Sequence, residues 1–213
     1  MVKHVFLDFN GTLLDDLDLC LELLNWMLKD QNKPLVEKNK YKEIFMFPIK
    51  DYYIKAGLDF NVESFESLAH RFMDRYINEY KNCKLFDGII DTLKYLREKG
   101  YKTYILSASK QSILNSQCDY YGLTKYFDNI IGINDIYASS KEKIAIRFIE
   151  ENNINTDEAI FVGDTLHDEE VARTVGINCY LVKCGHQSEG VLKSAGVKII
   201  DDINSLRNEL WNI

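Results

Sequence analysis

The chain has 213 residues, of which 46% are apolar and 12% aromatic, and its formal net charge is −7. This composition is typical of a globular protein with a sizeable core, and it excludes an intrinsically disordered chain. The acidic balance argues against a nucleic-acid-binding protein, which usually has a basic surface. A small phosphorylated molecule stays open as a partner, because one or two local cations suffice to bind it.

The sequence carries no recognisable targeting segment and no cysteine motif. Its five cysteines include no C-x-x-C pair, so neither a zinc site nor a dithiol redox motif is indicated. The N-terminal stretch MVKHVFLDF lacks the apolar region of a signal peptide. No apolar run approaches the roughly 18 residues of a membrane span. We therefore expect a cytoplasmic protein with free thiols and no membrane partner.

The first predicted elements are a buried strand and two helices. Residues 5–7 are wholly apolar and are followed by Asp8, as is typical of a strand buried on both faces. Apolar residues then recur at helical spacing over 17–28, and Pro34 lies beyond the end of that helix. A second apolar stripe predicts a helix over 62–80. Up to about residue 83, the chain after the first strand reads as purely helical.

Strands and helices alternate through the rest of the chain. Helices are predicted over 87–99, 109–121, 141–152, 166–175 and from 203, and strands over 103–109, 129–133, 159–162, 177–182 and 197–200. This alternation predicts a parallel sheet with helices on both faces. The predicted fold class is α/β, a Rossmann-like core of residues 1–14 and 84–213 that is interrupted by an all-helical subdomain at 15–83.

Functional side chains are predicted at one rim of this sheet. Parallel sheets bind ligands beyond the carboxyl ends of their strands, where this sequence has Asp8, Ser107 and Asp164. Lys141 and Asp168 begin nearby helices and are close enough in the topology to reach the same rim. A carboxylate nucleophile, hard oxygen ligands for Mg²⁺ and a cation for the phosphate are the groups that phosphoryl transfer to a carboxylate requires.

These motifs, in this order, resemble those of the haloacid dehalogenase-like superfamily, in its phosphoglycolate-phosphatase-like branch with a helical cap. The superfamily's first motif, D-x-D-G-T, is matched by DFNGT at residues 8–12. Its second motif, a hydroxyl residue that closes a strand, is matched by Ser107. Its third, a lysine at a helix start, is matched by Lys141, with Lys143 as the weaker match. Its fourth, G-D-x-x-x-D, is matched by residues 163–168.

The resemblance implies a role for each matching residue. It implies that Asp8 is the nucleophile that becomes an aspartyl-phosphate, with Ser107 and Lys141 as its catalytic partners. It implies that Mg²⁺ is held by Asp8, Asp164, Asp168 and the backbone carbonyl of Asn10. The phosphate of a small metabolite would be bound by Gly11, Thr12, Ser107, the N–H of Ala108, and Lys141.

One segment of the predicted cap is a candidate for substrate selection. Residues 45–53, FMFPIKDYY, combine aromatic side chains with a cation next to a proline. Such a segment could line a substrate pocket, and ordinary packing of the cap is the alternative. Lys50 and Tyr52 are the specificity candidates. The substrate itself stays open among phosphoglycolate, pyrophosphate and sugar phosphates, and the oligomeric state does not follow from the sequence.

The first motif departs from the superfamily pattern at Asn10. In phosphatases of this family, an acid at this position protonates the leaving oxygen and later accepts a proton from the attacking water. An amide can do neither, and general acid–base catalysis typically contributes 10²–10⁴-fold to the rate. The metal site is less affected, because the ligand at this position is a backbone carbonyl.

Several interpretations of Asn10 remain open within the phosphatase hypothesis. The enzyme could be slow and favour good leaving groups, such as acyl phosphates, pyrophosphate or aryl phosphates. Alternatively, Asp15, Asp16 or His167 replaces the missing acid. An introduced substitution that traps a complex and deamidation of the Asn-Gly pair are further possibilities.

Other classes of protein are also open. One is a catalytically impaired pseudoenzyme that binds a phosphometabolite or a partner protein. Another is phosphonate hydrolysis through a cap lysine, for which Lys50 or Lys55 could be proposed. Dehalogenases do not use the metal. Asp164 and Asp168 predict a metal site and therefore argue against that class. A receiver domain would be nearer half this length and would lack the helical insert.

Overall fold

The computed structural model describes residues 1–133 and 141–211. In these residues the β-strands are β1 His4–Leu7, β2 Leu14–Asp15, β3 Lys84–Leu85, β4 Lys102–Lys110, β5 Asn129–Ile133, β6 Ala159–Gly163, β7 Asn178–Val182 and β8 Lys198–Ile200. The α-helices are α1 Leu17–Asp30, α2 Lys38–Ile44, α3 Ile49–Ala56, α4 Phe65–Glu79, α5 Ile89–Glu98, α6 Gln111–Tyr120, α7 Lys141–Glu151, α8 Leu166–Val175, α9 Glu189–Leu192 and α10 Leu206–Trp211.

Six strands form one parallel sheet in the order β5-β4-β1-β6-β7-β8. The apolar run at residues 5–7 lies in β1, near the middle of the sheet, and its side chains are at most 1% exposed. Helices α5, α6 and α10 pack on one face of the sheet, and α7 and α8 pack on the other. The predicted α/β class with a parallel Rossmann-like core is therefore confirmed.

The predicted boundary between β4 and α6 was wrong by two residues. The strand continues through Ser109 to Lys110, so α6 begins at Gln111 rather than at residue 109. The register with β5 shifts between Leu106 and Lys110, as in a β-bulge. Small residues at 107–109 carry no hydrophobic periodicity, so the sequence pattern could not distinguish the end of the strand from the start of the helix.

Residues 15–83, which we call the helical insertion, contain α1–α4. A two-stranded antiparallel ribbon closes its base, where β2 pairs with β3 and Asp15 lies opposite Lys84. The four helices have their own apolar core, whose buried members include Leu24, Met27, Leu28, Tyr41 and Leu68.

Helix α4 begins three residues later than predicted. Ser64 is its N-cap, and the Ser64 side chain accepts a hydrogen bond from the backbone N–H of Ser67. This capping interaction fixes the start of the helix at Phe65. Across the described ranges, no helix combines the length and the apolarity needed to cross a membrane.

Burial predicts which leucines stabilise the fold. Leu96 of α5 is 0% exposed, so we expect Leu96→Ala to lower the free energy of unfolding by about 2–5 kcal/mol through lost burial and a cavity. Leu35 is 61% exposed, so Leu35→Ala should change the free energy of unfolding by no more than about 0.5 kcal/mol. Urea denaturation measures both. Equal losses in the two variants would contradict this packing.

Candidate active site

One cluster contains every buried aspartate, lysine and histidine of the described residues. It lies at the carboxyl ends of β1, β6 and β7 and at the first turns of α7 and α8. Its members are Asp8, Asp16, Lys141, Asp164, Asp168 and His186. Buried ionised side chains are costly unless they are paired, so their concentration in one place marks this rim of the sheet as the candidate active site.

Lys141 connects two carboxylates at the centre of this cluster. Its Nζ lies 2.7 Å from Oδ1 of Asp8 and 2.6 Å from Oδ1 of Asp168, and its side chain is 2% exposed. Burial lowers the pKa of Lys141, but the two carboxylates outweigh burial and hold that pKa above its usual value. Lys143, the weaker sequence match, is exposed on the same helix. The geometry therefore assigns the buried cation to Lys141.

Asp168 also holds the first turn of α8 in place. Its Oδ2 accepts hydrogen bonds from the backbone N–H groups of Asp164 and Thr165, at 3.1 and 2.9 Å, and from the Thr165 hydroxyl at 2.7 Å. Thr165 and Asp168 form a capping box at this helix N-terminus. Burial raises the pKa of Asp168, but Lys141 outweighs burial and leaves that pKa lowered. One carboxylate thus serves both the helix and the site.

Asp8, Asp164 and Asp168 place carboxylate oxygens within 4.8 Å of one another. Asp164 is held from two sides, by the Thr12 hydroxyl at 3.2 Å and by the backbone N–H of His186 at 2.7 Å. Burial and the neighbouring carboxylates raise the pKa values of Asp8 and Asp164. Lys141 contacts only two of these three buried carboxylates, and its single charge leaves an excess of negative charge that a divalent cation could neutralise.

Two glycines allow the backbone to approach Asp164 closely. Gly11 has a φ of +71°, and a side chain there would overlap the Asp164 carboxylate and the His186 ring. A Cβ at Gly185 would overlap Asp164 as well. The close approach to Asp164 therefore explains why residue 11 of the DFNGT motif is a glycine. It also explains Gly185, which belongs to none of the sequence motifs.

Both polar atoms of the Asn10 side chain form hydrogen bonds. Its Nδ2 donates to Oδ2 of Asp16 at 2.7 Å and to the Tyr76 hydroxyl at 2.6 Å. Its Oδ1 accepts a hydrogen bond from the Ser109 hydroxyl at 2.9 Å. Because an amide nitrogen donates and a carboxylate only accepts, the neighbouring carboxylate of Asp16 matches an asparagine at position 10.

Asp16 is paired with His186, a residue that the sequence analysis missed. His186 Nε2 lies 3.2 Å from Oδ1 of Asp16, and its Nδ1 lies 2.8 Å from the Tyr41 hydroxyl. Burial lowers the pKa of His186, but the hydrogen bond and charge of Asp16 outweigh burial and raise it. His186 could have been predicted from the sequence, because it follows the strand β7 just as Asp8 and Asp164 follow theirs, and the carboxyl ends of parallel strands share one rim.

A cavity of about 180 Å³ lies between this cluster and the helical insertion. Ser107 and Ala108 line the cavity, and Ser107 is 2% exposed. Of the two specificity candidates, Tyr52 is buried and lines the cavity. Lys50 is exposed and is not a lining residue, and its Nζ lies 5.8 Å from the centre of the Phe60 ring.

The three candidates for a replacement acid lie in different environments. Asp16 is buried and lines the cavity beside Asn10. Asp15 is exposed in β2, and His167 stacks on Phe47 with a centroid distance of 4.7 Å. Neither Asp15 nor His167 is a lining residue. The structure brings only Asp16 of the three into the site.

Comparisons with known proteins agree with this architecture. Residues 5–182 match the model of a family described as haloacid dehalogenase-like hydrolase. Phosphoglycolate phosphatase 1 of Pseudomonas aeruginosa is 22% identical over 96% of this chain and 78% of its own length. The fold is similar to that of a predicted phosphatase from Clostridium acetobutylicum, with a TM-score of 0.83, 21% identity and full coverage of both chains. A haloacid dehalogenase-like hydrolase from Streptococcus pneumoniae has a TM-score of 0.80, 20% identity and 98% coverage of both chains.

Removing the buried cation should destabilise the protein strongly. Lys141→Met keeps much of the side-chain volume but leaves Asp8 and Asp168 without their counter-ion. We expect the free energy of unfolding in EDTA to fall by about 3–5 kcal/mol. Lys143→Met, on the exposed side of the same helix, should change it by no more than about 0.5 kcal/mol. Urea denaturation compares the two, and similar stabilities would contradict a buried ion pair at Lys141.

Proposed function

Because this chain belongs to the haloacid dehalogenase-like hydrolase family, we propose that it is a Mg²⁺-dependent phosphatase of small phosphomonoesters that acts through an aspartyl-phosphate on Asp8. The observation that carries the proposal is the buried arrangement of Asp8, Lys141 and Asp168, with Asp164 alongside. It is supported by the phosphoglycolate phosphatase among the relatives.

The position of Asp8 suits a nucleophile. Its carboxylate lines the cavity directly after β1, and it is oriented by Lys141 through Oδ1. Ser107 and Ala108 line the same cavity from β4 and are suited to hold phosphate oxygens, together with the Lys141 ammonium. Gly11 and Thr12, predicted to bind phosphate, are not lining residues of this cavity. They act on Asp164 instead, because Gly11 lets the chain approach its carboxylate and Thr12 donates a hydrogen bond to it.

The donor set fits a hard divalent cation. Asp8, Asp164 and Asp168 would hold it, with the backbone carbonyl of Asn10 as the further ligand that the family resemblance implies. When bound, the cation would offset the repulsion between the Asp8 carboxylate and the phosphate anion. The raised pKa values of Asp8 and Asp164 support this assignment, because crowded carboxylates gain most from a cation.

We further propose that the helical insertion acts as a cap. It contacts the rim of the core through Gln187, which donates to the Phe45 carbonyl at 2.8 Å, and through the Ser188 N–H, which donates to the Lys42 carbonyl at 2.9 Å. A cap in this position would exclude water from the phosphate and provide the walls that select the substrate.

A pseudoenzyme is the second candidate, and Asn10 is the observation that favours it. An amide N–H is too weak an acid to protonate a leaving oxygen, and both polar atoms of this amide are engaged in hydrogen bonds with Asp16, Tyr76 and Ser109. In that case the chain would bind a phosphorylated metabolite or a partner protein without turnover.

Restoring the acid should distinguish the two candidates. We expect Asn10→Asp to release phosphate from p-nitrophenyl phosphate about 10²-fold or more faster than the unaltered chain, because it recovers the base that accepts a proton from the water attacking the aspartyl-phosphate. The gain should require Mg²⁺ and disappear in EDTA, and Asp8→Asn should abolish release. If neither chain releases phosphate, the phosphatase proposal is wrong. A phosphorylated metabolite that still raises the melting temperature would then favour the pseudoenzyme.

The hydrogen bond between Asn10 and Asp16 predicts a stability effect of the same substitution. Asn10→Asp places two carboxylates side by side, so we expect a loss of about 1–3 kcal/mol in the free energy of unfolding at pH 8. Asp16→Asn alone breaks the ion pair with His186 and is itself destabilising. In the double variant it also restores one donor and one acceptor between positions 10 and 16, so the double variant should lose at least about 1 kcal/mol less than the sum of the two single losses. Chemical denaturation of the single and double variants measures this coupling. Additive losses would show that the two positions do not interact.

A further inference from the structure

The wall of the cavity that faces the catalytic cluster is apolar and rich in aromatic rings. Half-buried side chains of the helical insertion contribute to it, including Phe45, Phe47, Ile49, Phe72 and Met73. Ile113 of α6 adds an apolar group from the core. An apolar wall above a few convergent polar groups is the usual form of a site for an organic ligand.

Cations are scarce on this wall. Within the described residues, no lysine or arginine of the helical insertion lines the cavity. Lys141 lines it from the core but is bound to Asp8 and Asp168, and Lys110 lies at the exposed end of β4. His186 also lines the cavity and is paired with Asp16. A leaving group with its own carboxylate or phosphate would therefore enter among rings that offer it no cation of the insertion, while Lys141 and His186 are already paired, which is unfavourable. An uncharged aromatic leaving group would instead gain from contact with these rings.

Position 10 restricts the leaving group independently. Asn10 is not an acid, and the Asp16 carboxylate beside it is held by Asn10, Tyr76 and His186, so the leaving oxygen must depart without a proton from either side chain. A phenol ionises near pH 10, whereas the pKa of water is 15.7, so a phenolate leaves far more readily than a less acidic oxygen. The chemistry of the site and the shape of its wall therefore favour the same kind of molecule.

We propose that the substrate is an aryl phosphate, the monoester of phosphate with an uncharged phenol-like alcohol. This inference rests on the proposed phosphatase function. An Asp8 oxygen attacks phosphorus, the bond between phosphorus and the aryl oxygen breaks, and the electron pair leaves on the phenolate. Water then attacks the aspartyl-phosphate, which returns the Asp8 carboxylate and releases inorganic phosphate. The phenolate takes up the proton that the water loses.

Turnover and binding test this inference separately. With Mg²⁺, we expect kcat/KM for phenyl phosphate to exceed that for 2-phosphoglycolate and for pyrophosphate by roughly 10²-fold. Cyclohexyl phosphate, similar in size but with a poor leaving group, should react slowly and gain most from Asn10→Asp. Benzylphosphonate and 3-phosphonopropionate carry a methylene in place of the ester oxygen of phenyl phosphate and phosphoglycolate. Benzylphosphonate should bind at least about tenfold more tightly than 3-phosphonopropionate, as measured by calorimetry.

Two variants of α3 test the wall itself. Ile49→Lys introduces a cation into the wall and should shift the ratio of kcat/KM values toward 2-phosphoglycolate by at least about tenfold. Ile54→Lys makes the same change on the same helix, at a side chain that is 54% exposed and does not line the cavity. It should leave the ratio unchanged.

The outcomes separate this inference from the proposed function. Turnover with 2-phosphoglycolate or pyrophosphate at or above the rate for phenyl phosphate would overturn the aryl preference and leave the phosphatase intact. Absence of turnover with every ester, together with tighter binding of benzylphosphonate, would overturn the phosphatase and retain the ligand class. Absence of turnover without that binding preference would overturn both.

Discussion

The ion pairs of Lys141 with Asp8 and Asp168 are the interaction on which the rest of the site depends. Burying carboxylates is tolerable only when each has a counter-ion or hydrogen-bond donors. Lys141 supplies the shared charge, and the N-terminus of α8 supplies the donors to Asp168. This lysine joins Asp8, at the end of β1, to the first turns of α7 and α8.

A second polar contact ties the helical insertion to the same cluster. Asp16 pairs with His186 from the core, and His186 contacts Tyr41 from the insertion. Asp16 in turn accepts from Asn10 and from Tyr76 of α4. The amide at position 10 is therefore part of the structural junction between the core and the insertion, and an acid there would disturb that junction.

Much of the fold and part of the site could be predicted from the sequence. The apolar run before Asp8 and the alternation of strands and helices predicted the parallel sheet, which the structure confirms. Asp8, Ser107, Lys141 and Asp164 were expected at one rim, and all line the cavity. The His186 contact with Asp16 joins residues 170 positions apart, so no local spacing could predict it.

The sequence by itself determined the chemistry available to this protein: a carboxylate at the end of a buried strand, further carboxylates for a cation, a lysine, and an amide where an acid is expected. These follow from residue identity and local periodicity. Only the tertiary structure decided which lysine is buried, that Asp16 and not Asp15 or His167 lies beside Asn10, and that aromatic rings rather than Lys50 face the site. The first outcome depends on how α7 packs beside β1 and α8, and the other two on how the insertion packs over the sheet, because burial and pairing are set by contacts between distant segments.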